Sequence, residues 1–486
     1  MHEECGVFGA YGLASAAERT AIALYALQHR GQEGCGIATY DEKSAAIHMV
    51  KNLGQVKDVF GPKDFLALPG DKAVGHVRYS TTGGNLPRNT QPMLAGTREG
   101  TLALVHNGNL SNAAALREAL EAKGLIFQTD SDTEVIAYLL AGELIRTKDI
   151  VAALQAAMGQ MEGSYSLVML LGGTMLAVRD PFGMRPLCMG EVDGNPVFAS
   201  ESCAISAVRG RFVRDLRPGE IVRVQDGKLD AFLGGKRSSG ALCIFEHIYF
   251  ARPDSVIDGQ SVYEARLRAG RIAAESHPVE ADLVVGVPNS GLIAAIGYAE
   301  GSGIPYGEAF VMNRYVGRTF IEPTQEMRAL KVGLKLSVLR QAVAGKRLVM
   351  VEDSLVRATT TDQVVALLKR AGATEVHVRI CAPPFLYPCY FGTDVPSREL
   401  LASVRWSNEE LTRHIGADSL RFLPLERLGE IAPNSALGFC EGCFSGQYPY
   451  GPPGLRGQGA AVPPHAPRKE AANLAHGTHP PFSSAL

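Results

Sequence analysis

The stretch VMVEDSLVRATTTD (Val349–Asp362) constrains the fold more than any other part of the chain. An apolar, β-branched run ends in two carboxylates, Glu352 and Asp353. A short polar loop follows, and a helix begins at the threonines. Strand, loop and helix in that order make a βα unit, and ligands of such sheets bind beyond the carboxyl ends of the strands. Free N–H groups at the start of the helix suit a phosphate, and the hydroxyls of Ser354, Thr359, Thr360 and Thr361 add donors. The two acids suit ribose hydroxyls or Mg²⁺, which takes hard oxygen ligands. The string predicts a sugar-phosphate site with a metal.

The surrounding rhythm agrees. From about residue 240, the apolar strands DLVVGVP, RLVMVEDS and EVHVRI alternate with the helical segments SGLIAAIGYAEGSG and TTDQVVALLKRAGA. That is the pattern of a doubly wound parallel sheet. Residues 5 to about 230 differ. Short strands are separated by Gly-containing turns, with helices near ASAAERTAIALYALQHRG and SDTEVIAYLLAGELIRT. Ser131 and Glu134 predict a capping box for the second helix. An α+β domain with sheets packed between helices is expected. GGKRSSG (Gly234–Gly240) reads as a linker. The Pro-, Gly-, Ala- and His-rich end beyond about residue 450 reads as a disordered tail.

Composition removes several classes. The 486 residues accommodate about two to four domains. A net charge of −2 gives no basic field for nucleic acid. No apolar run reaches the ~18 residues of a membrane span, and no apolar leader opens the chain, so the cytoplasm is the expected location. Nine cysteines are too sparse for a disulfide scaffold, and clustered ones point to metal or catalysis.

Particular strings carry a resemblance. VMVEDSLVRATTTD resembles the phosphoribosyltransferase signature. VGVPNSG (Val285–Gly291) resembles that family's diphosphate loop, which implies that Ser290 contacts diphosphate and Mg²⁺ together with Glu352 and Asp353. NRYVGRTFIEPTQEMR (Asn313–Arg328) resembles its mobile loop, which implies phosphate contacts from Arg314 and Arg318, with Lys335 beyond. In the first half, CGVFG, LQHRGQEGCGI, GHVRYSTTG, LVHNGNLSN and SDTEV resemble glutamine amidotransferases with an N-terminal cysteine nucleophile. That resemblance implies Cys5 as nucleophile, exposed by loss of Met1–Glu4 as a propeptide. Arg78 and Asp132 are implied to bind the glutamine α-carboxylate and α-ammonium, and Asn107 and Gly108 to form the oxyanion hole. The placement has a chemical reason: a free α-amino group, with a pKa of roughly 7.7–8, can take the proton of the thiol on its own residue.

Cys5 to about Tyr450 as a whole resembles the amidophosphoribosyltransferase family. The implied architecture is mixed α/β and α+β. A glutaminase domain of the N-terminal-nucleophile type, an αββα sandwich, spans 5–235. A type I phosphoribosyltransferase domain with a parallel sheet spans 241–453, and a tail spans 454–486. The implied enzyme is a pentosyltransferase. It converts glutamine, phosphoribosyl diphosphate and water to 5-phosphoribosylamine, glutamate and diphosphate, the first committed step of purine (IMP) synthesis. A homotetramer inhibited by purine nucleotides is implied as well. Cys243, Cys389, Cys440 and Cys443, the last two in CEGC, resemble the ligands of a [4Fe–4S] cluster in one subclass. Zinc or a redox dithiol at Cys440 and Cys443 are the alternatives, while Cys35, Cys188, Cys203 and Cys381 read as core residues. Four positions depart from the family: Ala358 for Gly, Asn289 for Asp, Met312 for Lys and Gly333 for Arg. They motivate a second reading, a paralogue that keeps the fold and glutaminase but has impaired phosphoribosyl transfer. A third reading, a sugar-phosphate or asparagine-forming synthase, leaves VEDSLVRATT unexplained.

Overall fold

The computed structural model describes residues 5–79, 84, 86–234, 240–313, 336–393, 395 and 397–451. The expected propeptide Met1–Glu4, most of the linker, Arg314, Arg318, Arg328, Gly333, Lys335 and the tail from 452 lie outside the described residues.

Two antiparallel sheets fill the first half. One has seven strands in the order Arg211–Asp215, Cys188–Val192, Asn195–Ala199, Gly6–Ala10, Lys72–Arg78, Gly34–Asp41, Ala46–Leu53. The other has six, in the order Lys228–Leu233, Glu220–Gln225, Thr174–Arg179, Gly163–Leu171, Gly100–Leu110, Met93–Thr97. The central strands read as unbroken apolar runs because both of their faces are covered. In Gly163–Leu171, Tyr165, Leu167, Met169 and Leu171 pack against helices Asp132–Thr147 and Ile150–Met158, while Val168 and Leu170 face the other sheet. In Gly6–Ala10, Phe8 and Ala10 pack with helix Ala16–Ala26, and Val7 points inward between the sheets. Side chains alternate across a strand, so three apolar layers separate four layers of structure: the αββα sandwich the sequence implies.

The second half holds a four-stranded sheet, Leu283–Gly286, Arg347–Glu352, Glu375–Ile380 and Ser419–Phe422, with every pairing parallel. Helices Val262–Ser276 and Gly291–Ser302 cross at backbone distance. A Cβ on Gly270 would stand 1.9 Å from the Ala294 carbonyl oxygen, and one on Gly297 1.9 Å from that of Leu267. The antiparallel pair Phe310–Met312 and Leu336–Val338 brackets the segment expected to be the mobile loop. Among the described residues, no helix is long and apolar enough to cross a membrane.

Two local expectations change. Ser131 does cap its helix, accepting from the Thr133 N–H, but Glu134 does not close the box. Its carboxylate instead accepts from the N–H groups of Gln128 and Thr129 and from the Thr129 hydroxyl. Peripheral strands such as Lys228–Leu233 and Ser419–Phe422 escape sequence reading. The first is almost wholly exposed, and both close a sheet edge, so neither carries an apolar run.

Candidate active site

Strand register gathers the first constellation. Gly6 pairs with Val77, which sets Cys5 opposite Arg78 at the ends of adjacent strands. The Cys5 sulfur lies 3.4 Å from the Tyr79 carbonyl oxygen, and Arg78 is buried with Nη2 3.3 Å from the Gly84 carbonyl oxygen. His76 ties this sheet to the other: its Nε2 is 3.1 Å from the carbonyl of His106, the residue before Asn107. Burial pushes the His76 ring down to about 3, with the charge of Arg78 as a second cause, so it is neutral.

Asn107 is fully buried. Its amide N–H₂ reaches Ser200 Oγ at 3.5 Å, and the same oxygen accepts from the Val7 N–H at 2.9 Å, so Asn107 sits beside the strand that starts at Cys5. The Asn107 Oδ1 has no protein partner. Gly108 takes φ 145°, and a Cβ there would meet the Ser164 carbonyl oxygen at 2.1 Å, so only glycine fits. Asp132, first residue of its helix, accepts from the Leu110 N–H at 3.0 Å and lies 3.6 Å from His106 Nδ1. Burial alone would raise it. His106 and the Leu110 and Thr133 N–H groups outweigh burial and hold the carboxyl below its usual range, and a negative charge at a helix N-terminus is also favoured.

The second constellation lies at the carboxyl end of the parallel sheet. Asp353 accepts hydroxyl hydrogen bonds from Ser290 and Ser354, which joins the VGVPNSG loop to the acidic pair. Glu352 is pushed up to about 8 by burial and then by the charge of Asp353, against a hydrogen bond from Thr361. Thr359 and Thr360 are exposed at the mouth of the loop, but Thr361 is turned inward, its hydroxyl donating to Glu352 at 2.9 Å. That departs from the expectation that Thr361 presents its hydroxyl to a phosphate. Ala358 takes φ 65° and is buried, and its carbonyl accepts the first bond of the following helix from Asp362. Asn289 is exposed and Met312 half-buried.

Four cysteines meet where the halves join. Cys243 and Cys440 are register partners in the short parallel ladder Leu242–Cys243 with Phe439–Cys440. Cys443 follows in helix Gly442–Ser445, and its carbonyl accepts from Leu386 and Tyr387, at the head of the segment that carries Cys389. All four thiols lie close enough to act on one another electrostatically. Four thiols brought together by strand pairing and loop docking make a donor set as suited chemically to a [4Fe–4S] cluster as to a tetrahedral zinc. The other expected core cysteines, 35, 188, 203 and 381, are buried.

Sequence reasoning missed the residues that support these sites. Arg30, wholly buried, donates from Nε to the Cys5 carbonyl at 2.9 Å, from Nη1 to Glu201 at 2.7 Å, and through a two-bond fork to Glu246 at 2.8 and 2.7 Å. Glu201 is held well down because His29 and Arg30 outweigh its burial. An arginine in HRG and a glutamate in FEH give no local signal, since only the fold joins them.

The geometry defines a glutamine-hydrolysing site fused to a phosphoribosyl-transferring one. A model of the glutamine amidotransferase domain matches residues 76–207. The amidophosphoribosyltransferase of Archaeoglobus fulgidus is 48% identical over 93% of this chain and 99% of its own length. That of Methanocaldococcus jannaschii is 44% identical over 92% and 97%. The structure of the B. subtilis glutamine phosphoribosylpyrophosphate amidotransferase complexed with ADP and GMP superposes with a TM-score of 0.84 at 42% identity, covering 92% of this chain and 97% of that one. The chain belongs to the amidophosphoribosyltransferase family. It is an enzyme that moves the amide nitrogen of glutamine to phosphoribosyl diphosphate in purine biosynthesis, and nothing in the fold or the comparisons favours the degenerate paralogue.

Proposed function

We propose the following division of labour for this reaction. Cys5, freed by loss of Met1–Glu4, is the nucleophile of a 5–235 glutaminase domain. Its α-amino group takes the thiol proton, and the thiolate attacks the glutamine amide carbon. The proton passes to the departing nitrogen, which leaves as ammonia, and water then hydrolyses the thioester to glutamate. Arg78 and Asp132 orient the substrate's carboxylate and ammonium. The Asn107 amide N–H₂ and the Gly108 N–H stabilise the tetrahedral oxyanion. In the 241–453 domain, Thr359 and Thr360 donate toward the 5-phosphate, the Ser354 hydroxyl turns from Asp353 to join them when the phosphate binds, and Thr361 steadies Glu352. Arg314, Arg318 and Lys335 would add cationic contacts. Ammonia attacks the anomeric carbon and diphosphate leaves.

Ser290, Glu352 and Asp353 offer the hard oxygens that would hold Mg²⁺, which when bound neutralises diphosphate charge. Cys243, Cys389, Cys440 and Cys443 would hold a [4Fe–4S] cluster, a cross-link between chain segments. A purine-nucleotide-regulated cytoplasmic homotetramer completes the reading, in line with the nucleotides bound to the B. subtilis protein.

The observation that carries the proposal is the convergence of Cys5, Arg78 and Asn107 from two facing sheets with Asp132 from a helix N-terminus. Intact-mass analysis of anaerobically purified protein should find a chain beginning at Cys5 and, under native conditions, iron with sulfide. Cys5→Ser should abolish glutamine-dependent product formation and leave ammonia-dependent formation. A mature active chain that keeps Met1, or a serine variant that still uses glutamine, refutes the assignment.

A further inference from the structure

The segment Thr90–Pro92 bridges the two sheets of the glutaminase half, and the glycines of LQHRGQEGCGI clear the way for it. Ile37 packs on the helix side of its strand and Ala38 between the sheets, so Gly36 faces inward as well. A Cβ on Gly36 would stand 2.2 Å from the Gln91 carbonyl oxygen and 2.8 Å from Pro92 Cδ, and one on Gly34 3.0 Å from Thr90 Oγ1. A side chain at Gly36 would push the segment off the strand. Lys51, on the neighbouring strand, holds it down. Its Nζ donates to the carbonyls of Thr90 and Pro92 at 2.6 and 3.1 Å, on either side of Gln91.

Gln91, itself buried, reaches the second sheet. Its Oε1 accepts from the His106 N–H at 2.6 Å, and its Nε2 donates to the His106 carbonyl oxygen at 3.2 Å. The pairing of Met93–Thr97 with Gly100–Leu110 sets Met93 opposite Leu104. Two places further on, Gln91 falls opposite His106, where the strand has already ended. A side-chain amide, with an acceptor and a donor at one end, thus completes the ladder in place of backbone. The same His106 carbonyl lies 3.1 Å from Nε2 of His76, on the sheet of Cys5 and Arg78. Asn107 and Gly108 come next in the chain. Both peptide groups of the residue before them are therefore pinned, and pinned from the nucleophile's side of the sandwich.

We propose that Gln91 is a positioning residue for the oxyanion hole: its side-chain amide holds the strand of Asn107 and Gly108 at a set distance from the sheet of Cys5. Oxyanion donors act only within about 2.7–3.1 Å of the oxygen that develops in the transition state. A slip of this strand therefore slows attack on the amide. Ground-state glutamine is held by Arg78 and Asp132, which lie on other elements. The inference rests on Cys5 being the nucleophile and on Asn107 and Gly108 forming the hole.

The test uses the full, anaerobically purified enzyme and Gln91→Met, which keeps the length of the side chain and removes both hydrogen bonds. Ammonia-dependent product formation and thermal unfolding report that the variant is folded. Glutaminase kcat should fall about 10- to 100-fold, as small misplacements of reacting groups cost. The KM for glutamine should move less than about twofold, the pattern of an interaction made in the transition state. A double-mutant cycle with Asn107→Ala separates this role from bracing of the fold. Once the hole has lost Asn107, adding Gln91→Met should cost about threefold or less, because residues that act as a unit are not additive. If Gln91→Met fails the folding controls, Gln91→Glu is read in the same cycle; it keeps the acceptor and turns an oxygen against the His106 carbonyl. Wild-type glutaminase kcat in the folded Gln91 variant, or losses that multiply in the double variant, overturn the proposal. Wild-type glutaminase kcat in Asn107→Ala overturns the oxyanion-hole assignment instead, so the two failures are distinguishable.

Discussion

Ala358→Gly offers a sharp test of the phosphoribosyl site, because the structure turns a family departure into a measurable strain. Ala358 adopts φ 65° in the loop beside Glu352 and Asp353. A side chain in that left-handed region costs about 1–2 kcal/mol. Glycine removes that cost but adds about 0.5–1 kcal/mol of chain entropy wherever the loop is loose. The net gain for the ordered loop is about 0.5–1 kcal/mol, a factor of about 2–5 in the population of the binding-competent form and so in apparent affinity. Overall stability moves less, because loss of one buried methyl, about 0.8 kcal/mol, cancels much of the gain. The expected result is a two- to fivefold lower KM for phosphoribosyl diphosphate (about 0.5–1 kcal/mol), with kcat and the KM for glutamine unchanged and Tm within a few degrees. Ala358→Val, β-branched at a positive φ, should raise that KM. Steady-state kinetics at saturating glutamine decides it. An unchanged KM in the glycine variant, or a valine variant with wild-type kinetics, refutes the strain argument.

Four other outcomes follow from burial and packing. Arg179 is fully buried and forks onto Asp258 at 2.8 and 2.7 Å across the two halves. Asp258→Asn tolerates the local φ of 47° but strands the guanidinium, and should cost about 3–5 kcal/mol in denaturant unfolding. His76 is neutral in the fold above a pH of about 3, while an unfolded histidine takes up a proton below about 6.5. Unfolding therefore binds a proton between those values, and stability falls as pH drops through that window. His76→Gln should flatten the slope by about 1.4 kcal/mol per pH unit there, read by urea titrations at several pH values. An identical slope would refute the burial argument. Gly297→Ala forces a methyl against the Leu267 carbonyl and should cost about 1–3 kcal/mol. Gly142→Ala, in a helix with nothing within 4 Å, should stabilise by about 0.5–1 kcal/mol.

Central strands and the turn between Glu352 and Thr361 were legible in the sequence, and the reason is local. Leu167–Leu170 and Val349–Val351 are buried on both faces, so their apolar runs are written without interruption. VEDSLVRATTTD states its strand, turn and helix within one short window. Edge strands were hidden because solvent lets them be polar. Glu134 misled for a different reason: its capping-box spacing was present, but two nearer N–H groups of the preceding loop claimed the carboxylate. Thr361 shows the same limit, since its hydroxyl has a closer acceptor in Glu352 than any phosphate. Arg30, Ser200 and Glu246 were invisible because their partners are far away in sequence. The Arg30–Glu246 pair spans 216 residues. Cysteine chemistry fell between the extremes: CEGC marks itself, while Cys243 and Cys389 join it only through strand pairing and loop docking.

The glycine crossing between Val262–Ser276 and Gly291–Ser302 has a mechanical consequence. Where two backbones touch with no side-chain layer between them, nothing soft is left to absorb a displacement, since packed interiors transmit strain. The helix that begins at the VGVPNSG loop and the helix that carries Arg266 are therefore stiffly joined, and a tilt of one is passed to the other rather than absorbed between them.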